Sequence, residues 1–214
     1  MVSRRTTWLF DLDNTLHNAN AHIFPKIHQL MMDYIRRELG VSEEKAVASR
    51  CRYLQSYGAT LLGMMRHHGT NPRHFLAHTH DLPGLRRMVV CEPGLVRALR
   101  RLPGRKLLFT NAPAAYTRSV LSACGVRCCF DGIYSIEDFR FCPKPATAGF
   151  LHILRREQIR AQDCIMVEDT FANLRTAKRL GMKTVWVTDT PNRVPLADVR
   201  VCSVLDLPRK IRWL

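Results

Sequence analysis

The sequence predicts an α/β fold: a doubly wound parallel sheet interrupted by an inserted all-helical block. Three observations predict it. Short apolar runs at Trp8-Leu9-Phe10, Leu107-Leu108-Phe109 and Cys164-Ile165-Met166-Val167 each stop abruptly at polar or acidic residues. That is the signature of buried strands whose carboxyl ends open onto a ligand site. From Pro93 onward, helix-like and strand-like segments alternate, which implies parallel strands joined by right-handed crossovers. Between His17 and Cys91 there is no convincing strand pattern, only helical periodicity.

The elements follow in order. A first strand is expected from about Thr7 to Leu12. In the helical block, Ile27, Leu30, Met31, Tyr34 and Ile35 share one helix face, and Val47, Cys51 and Leu54 mark another helix. Gly40 reads as a helix stop, Ser42 before Glu43-Glu44 as a helix start, and Asn71-Pro72 as the opening of a further short helix. After Glu92-Pro93-Gly94 the reading is helix 93–102, strand 106–110, helix 113–124 and a short strand near Ile133-Tyr134. Helix 145–157, strand 164–168, helix 170–180 and strand 184–188 follow, with a last strand near 201–204. Residues 1–16 and 93–214 therefore make one core, and 17–92 an insertion.

Composition agrees. The chain has 214 residues, 46% of them hydrophobic, enough for a compact core and a small inserted unit. No apolar run reaches the ~18 residues of a membrane span. Met1 to Arg5 is basic, but Thr6 onward reads as strand rather than a secretory leader. The eight cysteines form no C-x-x-C pair. The cluster Cys124, Cys128 and Cys129 reads as free thiols rather than a zinc site, and the cytoplasm is the expected compartment. The net charge of +15 would suit a nucleic-acid partner. The basic residues are dispersed, however, in pairs such as Arg36-Arg37, Arg86-Arg87 and Arg155-Arg156, so solvated helix faces are the reading and nucleic acid is not the expected partner.

The chemistry concentrates at the strand ends. Asp11 and Asp13 close the first strand. Two like charges held together out of water need a cation, and oxygen-only ligands point to Mg²⁺. Thr110-Asn111 ends the second long strand, Lys144 stands between Pro143 and Pro145, and Glu168-Asp169 ends the third. Taken singly, these are an ordinary turn, a solvated lysine and a helix-dipole pair. In this order they resemble the four motifs of the haloacid dehalogenase-like superfamily, most of whose members are phosphatases.

That resemblance implies a Rossmann-like core with a helical cap that selects substrates. It implies Asp11 as the nucleophile that forms an aspartyl phosphate, and Asp13 as general acid and then base. It makes Thr110, Asn111 and Lys144 the phosphoryl-binding groups. Mg²⁺ would be held by Asp11, the Asp13 carbonyl, Asp169 and Glu168, the last directly or through water. Asn173, one helical turn beyond Asp169, would orient a metal ligand.

Within the superfamily, the run Phe10 to Asn18 resembles the pyrimidine 5'-nucleotidase branch. So does Tyr57-Gly58-Ala59-Thr60-Leu61-Leu62-Gly63, with His67-His68-Gly69 and His78. This makes Tyr57, Gly58 and Thr60 candidate substrate contacts, although a glycine-dependent helix junction accounts for the same segment and His67 and His68 read as locally hydrogen-bonded. A phosphatase or phosphomutase for another small metabolite is the alternative substrate reading. Haloacid dehalogenase chemistry needs no metal and no acid at Asp13, and fits less well. A nucleic-acid-binding protein on this fold is a further alternative.

Overall fold

The computed structural model describes residues 5–189 and 197–213; Met1 to Arg4 of the basic stretch lie outside them. Six strands form one parallel sheet: β1 (Thr7–Phe10), β2 (Arg105–Phe109), β3 (Gly132–Tyr134), β4 (Cys164–Glu168), β5 (Lys183–Val187) and β6 (Val199–Val201). Their order is β3-β2-β1-β4-β5-β6. The chain winds outward from β1 in one direction, then returns to the other side of β1 for β4. With right-handed crossovers this places connecting helices on both faces and makes the carboxyl end of β1 the switch point.

Register explains how the motifs meet. Phe10 pairs with Leu108 on one side and Val167 on the other. The residues just beyond β1, β2 and β4 are therefore neighbours in space although more than 90 positions separate the first from the second. All four β1 residues are buried, as expected for a strand covered on both faces. Leu9 joins Leu107, Phe109, Met166, Phe150, Ile153 and Leu174 in one core cluster. Trp8 and Phe10 alternate to the other face, where Phe10 meets Phe130 edge-to-face.

The helical insertion, Ala19–Met88, is a compact unit of its own, and the flanking residues form the other. Asn18 N donates to Val90 O at 2.7 Å, which ties together the two chain segments just outside the insertion. The insertion contains α1 (Ile23–Leu39), α2 (Glu43–Tyr57), α3 (Thr60–His68), α4 (Pro72–His80) and α5 (Leu85–Met88). Its punctuation is the one expected. Gly40 closes α1 in the left-handed region, Ser42 caps α2 by accepting from Lys45 N, and Asn71 caps α4 with Pro72 in its first turn.

Val47, Cys51 and Leu54 fall on a helix, as expected, and lie on its exposed side, while α2 buries Ala46 and Tyr53. One expectation is corrected. The last strand is Val199–Val201, because the Ser203 hydroxyl accepts from Leu205 N at 3.1 Å and starts a 3₁₀ turn where strand was expected.

The core helices are α6 (Leu95–Arg100), α7 (Ala114–Ala123), α8 (Thr147–Arg156), α9 (Phe171–Arg179) and α10 (Leu207–Lys210). Among the described residues, no helix is long and apolar enough to cross a membrane.

Candidate active site

Asp11 directly follows β1. Its N–H donates to Val167 O at 3.0 Å, so the ladder to β4 runs one residue past the strand and the side chain emerges at the sheet edge. The chain then turns: Leu16 N donates to Leu12 O at 2.9 Å, and Asn14 takes a φ of 58°. Asparagine accepts that left-handed geometry far better than a branched residue. The turn returns His17 beside Asp13, with an isolated parallel bridge between them.

Lys144 reaches Asp11 from a loop before α8. The Asn111 side chain holds that loop from both sides: Lys144 N donates to Asn111 Oδ1 at 2.8 Å, and Asn111 Nδ2 donates to Lys144 O at 3.0 Å. With its backbone clamped, the Lys144 ammonium donates to Asp11 Oδ1 at 2.7 Å, Glu168 Oε2 at 2.7 Å and Phe109 O at 2.8 Å. All three donors are satisfied, and the residue is buried. The Asn111 amide is thus spent on Lys144, which leaves its backbone N–H as the group free to face a ligand. Thr110, also buried, accepts from Ala112 N through Oγ1 at 3.0 Å and retains its hydroxyl proton.

Glu168, the last residue of β4, is fully buried. Besides Lys144, its Oε2 accepts from Asn173 Nδ2 at 2.9 Å, and its Oε1 accepts from Thr170 N at 3.1 Å. Asn173 therefore orients Glu168 rather than Asp169, from which its spacing was counted. Asp169 is held through its carbonyl, which accepts from Trp186 Nε1 at 2.9 Å.

Asp11, Glu168 and Asp169 each bring one carboxylate oxygen, and these atoms all lie within 4.8 Å of one another. Burial, then the charge of Glu168, push the Asp11 carboxyl up to about 7 against the pull of Lys144. Burial, then the hydrogen bond with Glu168 and the charge of Asp11, push Asp169 up to about 8. Burial works against the Lys144 ammonium, but Asp11 and Glu168 outweigh it and hold its pKa above the ordinary lysine value. With all three carboxylates ionised, the one ammonium would leave two negative charges uncompensated, which is why protons are retained there without a cation. An oxygen-only donor set with that deficit fits a hard divalent cation.

Asp13 stands apart from this cluster. Its Oδ1 accepts from the Tyr116 hydroxyl at 2.6 Å and lies 2.8 Å from His17 Nε2. Neither partner was singled out for this from the sequence. His17 carries a usable signal, a histidine four residues after an aspartate, but Tyr116 lies 103 positions away and carries none.

In the insertion, the distinctive segment is a helix junction. Gly58 ends α2 with a φ of 75°. Thr60 is buried at the start of α3. A Cβ on Gly63 would stand 2.1 Å from Tyr53 Cγ. The Tyr57 hydroxyl lies 2.7 Å from His67 Nε2, and the Tyr53 hydroxyl 2.6 Å from His68 Nε2. His78 donates from Nδ1 to His74 O at 2.8 Å. The three histidines noted in the sequence thus all make local hydrogen bonds.

The family model described as haloacid dehalogenase-like hydrolase matches residues 6–181. The chain belongs to that family. Among solved structures, this fold is similar to that of a HAD phosphatase from Thermococcus onnurineus, with a TM-score of 0.69 at 20% identity over 96% of this chain and 97% of that one. It is similar to CbbY from Rhodobacter sphaeroides in complex with phosphate, with a TM-score of 0.67 at 19% identity over 97% and 96%. L-2-haloacid dehalogenase from Xanthobacter autotrophicus shares the fold too, with a TM-score of 0.61 at 14% identity over 97% and 98%. At these identities the likeness concerns the fold alone. Phosphate metabolism protein 8 of Saccharomyces cerevisiae is 23% identical over 193 residues, a match covering 83% of this chain and 60% of that protein. The chain thus spans about three fifths of that relative's length.

Proposed function

We propose that this chain is a Mg²⁺-dependent phosphomonoester hydrolase that works through an aspartyl phosphate on Asp11, with pyrimidine nucleoside 5'-monophosphates as its substrates. The observation that carries the phosphatase reading is the buried constellation at the switch point. One carboxylate at the end of β1 is bridged by Lys144 to a second at the end of β4, with Asp169 beside them and a separately held Asp13 two residues on.

Lys144 fixes Oδ1 of Asp11 and leaves the other oxygen to attack phosphorus. Thr110 Oγ1 and the Asn111 N–H supply donors to the phosphoryl oxygens, and the Lys144 ammonium balances charge as the phosphoryl group transfers. Asp13 protonates the departing oxygen, then takes a proton from the water that releases phosphate. Mg²⁺, held by Asp11, Asp169 and the Asp13 carbonyl, would offset the repulsion between an anionic nucleophile and an anionic substrate. Glu168 already serves Lys144, Asn173 and Thr170, so in this scheme it reaches the cation through water. Both Asp13 and the acidic Glu168-Asp169 pair go unused in a dehalogenase.

The pyrimidine reading rests on the motif resemblance in Phe10–Asn18 and Tyr57–Gly63. Tyr57 has an aromatic face, and Thr60 a hydroxyl that can read a base or sugar. Gly58 lets the chain turn between them. All eight cysteines are free thiols, which accords with a reducing compartment such as the cytoplasm.

A phosphate-release screen with added Mg²⁺, across nucleoside monophosphates, sugar phosphates and phosphoglycolate, tests the proposal. Fastest release from pyrimidine monophosphates is the expected result. Preference for a sugar phosphate moves the assignment to the other small-metabolite reading. No release from any of them, with salt-sensitive oligonucleotide binding instead, refutes it in favour of a nucleic-acid partner.

A further inference from the structure

Asp13 is held in a way that its proposed work does not by itself require. Two groups converge on one of its oxygens, Oδ1: the Tyr116 hydroxyl at 2.6 Å and His17 Nε2 at 2.8 Å. Tyr116 sits in the first turn of α7, just after the Thr110-Asn111 strand end. His17 is delivered by the Asn14 turn.

The direction of each bond follows from chemistry. A carboxylate only accepts, so the phenol and the imidazole must both donate. Burial, then the adjacent Asp13, push the Tyr116 phenol above its ordinary pKa, so it remains a donor. The His17 side chain is fully buried, and its Nδ1 has no hydrogen-bond partner. A proton on Nδ1 would be a buried donor with nothing to accept it, a costly state. The ring is therefore the Nε2–H tautomer with a bare Nδ1.

We propose that Tyr116 and His17 are positioning residues that together saturate Oδ1 of Asp13, so that Oδ2 alone carries the proton transferred to and from the reacting oxygens. The two donors occupy both lone pairs of Oδ1. A proton placed there would displace one of them and strand a buried group, whereas Oδ2 bears no such constraint. The Asp13 side chain retains 17% exposure, so the carboxyl remains reachable. The pair also stops the carboxyl from rotating, and thus fixes which oxygen is presented. This inference rests on the proposed acid–base role of Asp13.

The experiment compares two substrates in Tyr116→Phe, His17→Leu, His17→Gln and Asp13→Asn. One is a nucleoside monophosphate, whose alkoxide leaves only when protonated. The other is 4-nitrophenyl phosphate, whose leaving group needs no proton. Tyr116→Phe and His17→Leu should each lower kcat/KM for the nucleotide by roughly 10- to 100-fold, the scale of one hydrogen bond to a charged group. The aryl phosphate should lose much less, and inhibition by inorganic phosphate should not change. His17→Gln, whose amide N–H can stand where Nε2 stands, should recover most of the nucleotide rate.

Equal losses on both substrates in folded protein, or no loss, overturn the positioning role. If Asp13→Asn discriminates between the substrates and the other variants do not, only the positioning role falls. If Asp13→Asn does not discriminate, the acid–base reading falls with it. Long-range ¹H–¹⁵N spectra of the unmutated protein add a test free of folding effects. His17 should show a protonated Nε2 and an unprotonated Nδ1, and the opposite tautomer or an imidazolium overturns the proposal.

Discussion

Replacing Lys144 with methionine removes an ammonium while keeping most of the side chain's volume. Three hydrogen bonds vanish together, to Asp11, Glu168 and Phe109 O. Phe109 O loses one donor, and two carboxylates are left facing each other in a site whose lysine side chain was 1% exposed. Breaking a buried ion pair from one side costs about 3–5 kcal/mol. A proton can partly substitute for the ammonium, and this gives the cost its pH dependence. Asp11 already sits near 7 with Lys144 present, and without it the folded-state value rises further. A carboxyl raised on folding makes the native state bind more protons than the unfolded state, so stability falls as pH rises. Urea unfolding without divalent metal should therefore show a loss of about 3–5 kcal/mol near pH 8 and clearly less near pH 5.5. Adding Glu168→Gln to the variant should restore part of the loss at the higher pH, because it removes one stranded charge. A loss that is the same at both pH values, or below about 1 kcal/mol near pH 8, would refute the view that Lys144 compensates buried carboxylates.

Four further outcomes follow from the same structure. Asp11→Asn should leave the fold intact and abolish both turnover and any trapped phospho-enzyme; near-normal phosphate release would remove Asp11 from the nucleophile role. Metal-free protein should lose thermal stability as pH rises from about 5 to about 8, since Asp11 and Asp169 hold protons there only when folded. Adding Mg²⁺ should flatten that slope and release protons, which calorimetry in two buffers of different ionisation enthalpy will register or fail to register. Gly63→Ala should destabilise the insertion by about 1–3 kcal/mol, read by thermal melting, because the new methyl would collide with the Tyr53 ring. Tyr57→Ala and Thr60→Val should lower kcat/KM for a pyrimidine monophosphate by roughly 1–3 kcal/mol in barrier terms, and that for an aryl phosphate much less; parallel losses in stable protein would show that the segment supports the fold rather than selects the base.

The strand ends were legible because their signals are local. An apolar run that stops at Asp11, at Thr110-Asn111 or at Glu168 marks where buried backbone reaches a ligand edge, whatever the rest of the chain does. Capping is equally local, so Ser42, Asn71 and Gly40 declared their helix boundaries without help. Periodicity placed Val47, Cys51 and Leu54 on a helix, and they lie exposed on α2: spacing marks the helix, and only a neighbouring element decides which of its faces is covered. The last strand shifted because a single hydroxyl, Ser203, began a turn that competed with extended backbone.

By itself the sequence determined the alternation of elements, the helical insertion and the identity of the acidic, basic and hydroxyl groups, all of which depend on residues close together in the chain. The tertiary structure decided how those groups divide their bonds. Asn111 clamps the Lys144 backbone, Glu168 gives its oxygens to Lys144, Asn173 and Thr170, and Tyr116 reaches from α7 to hold Asp13 in the turn after β1. The Asn111–Lys144, Lys144–Glu168 and Tyr116–Asp13 pairings join lone pairs and donors brought together by strand register and helix placement, and a hydrogen bond between residues many positions apart leaves no trace in local sequence pattern.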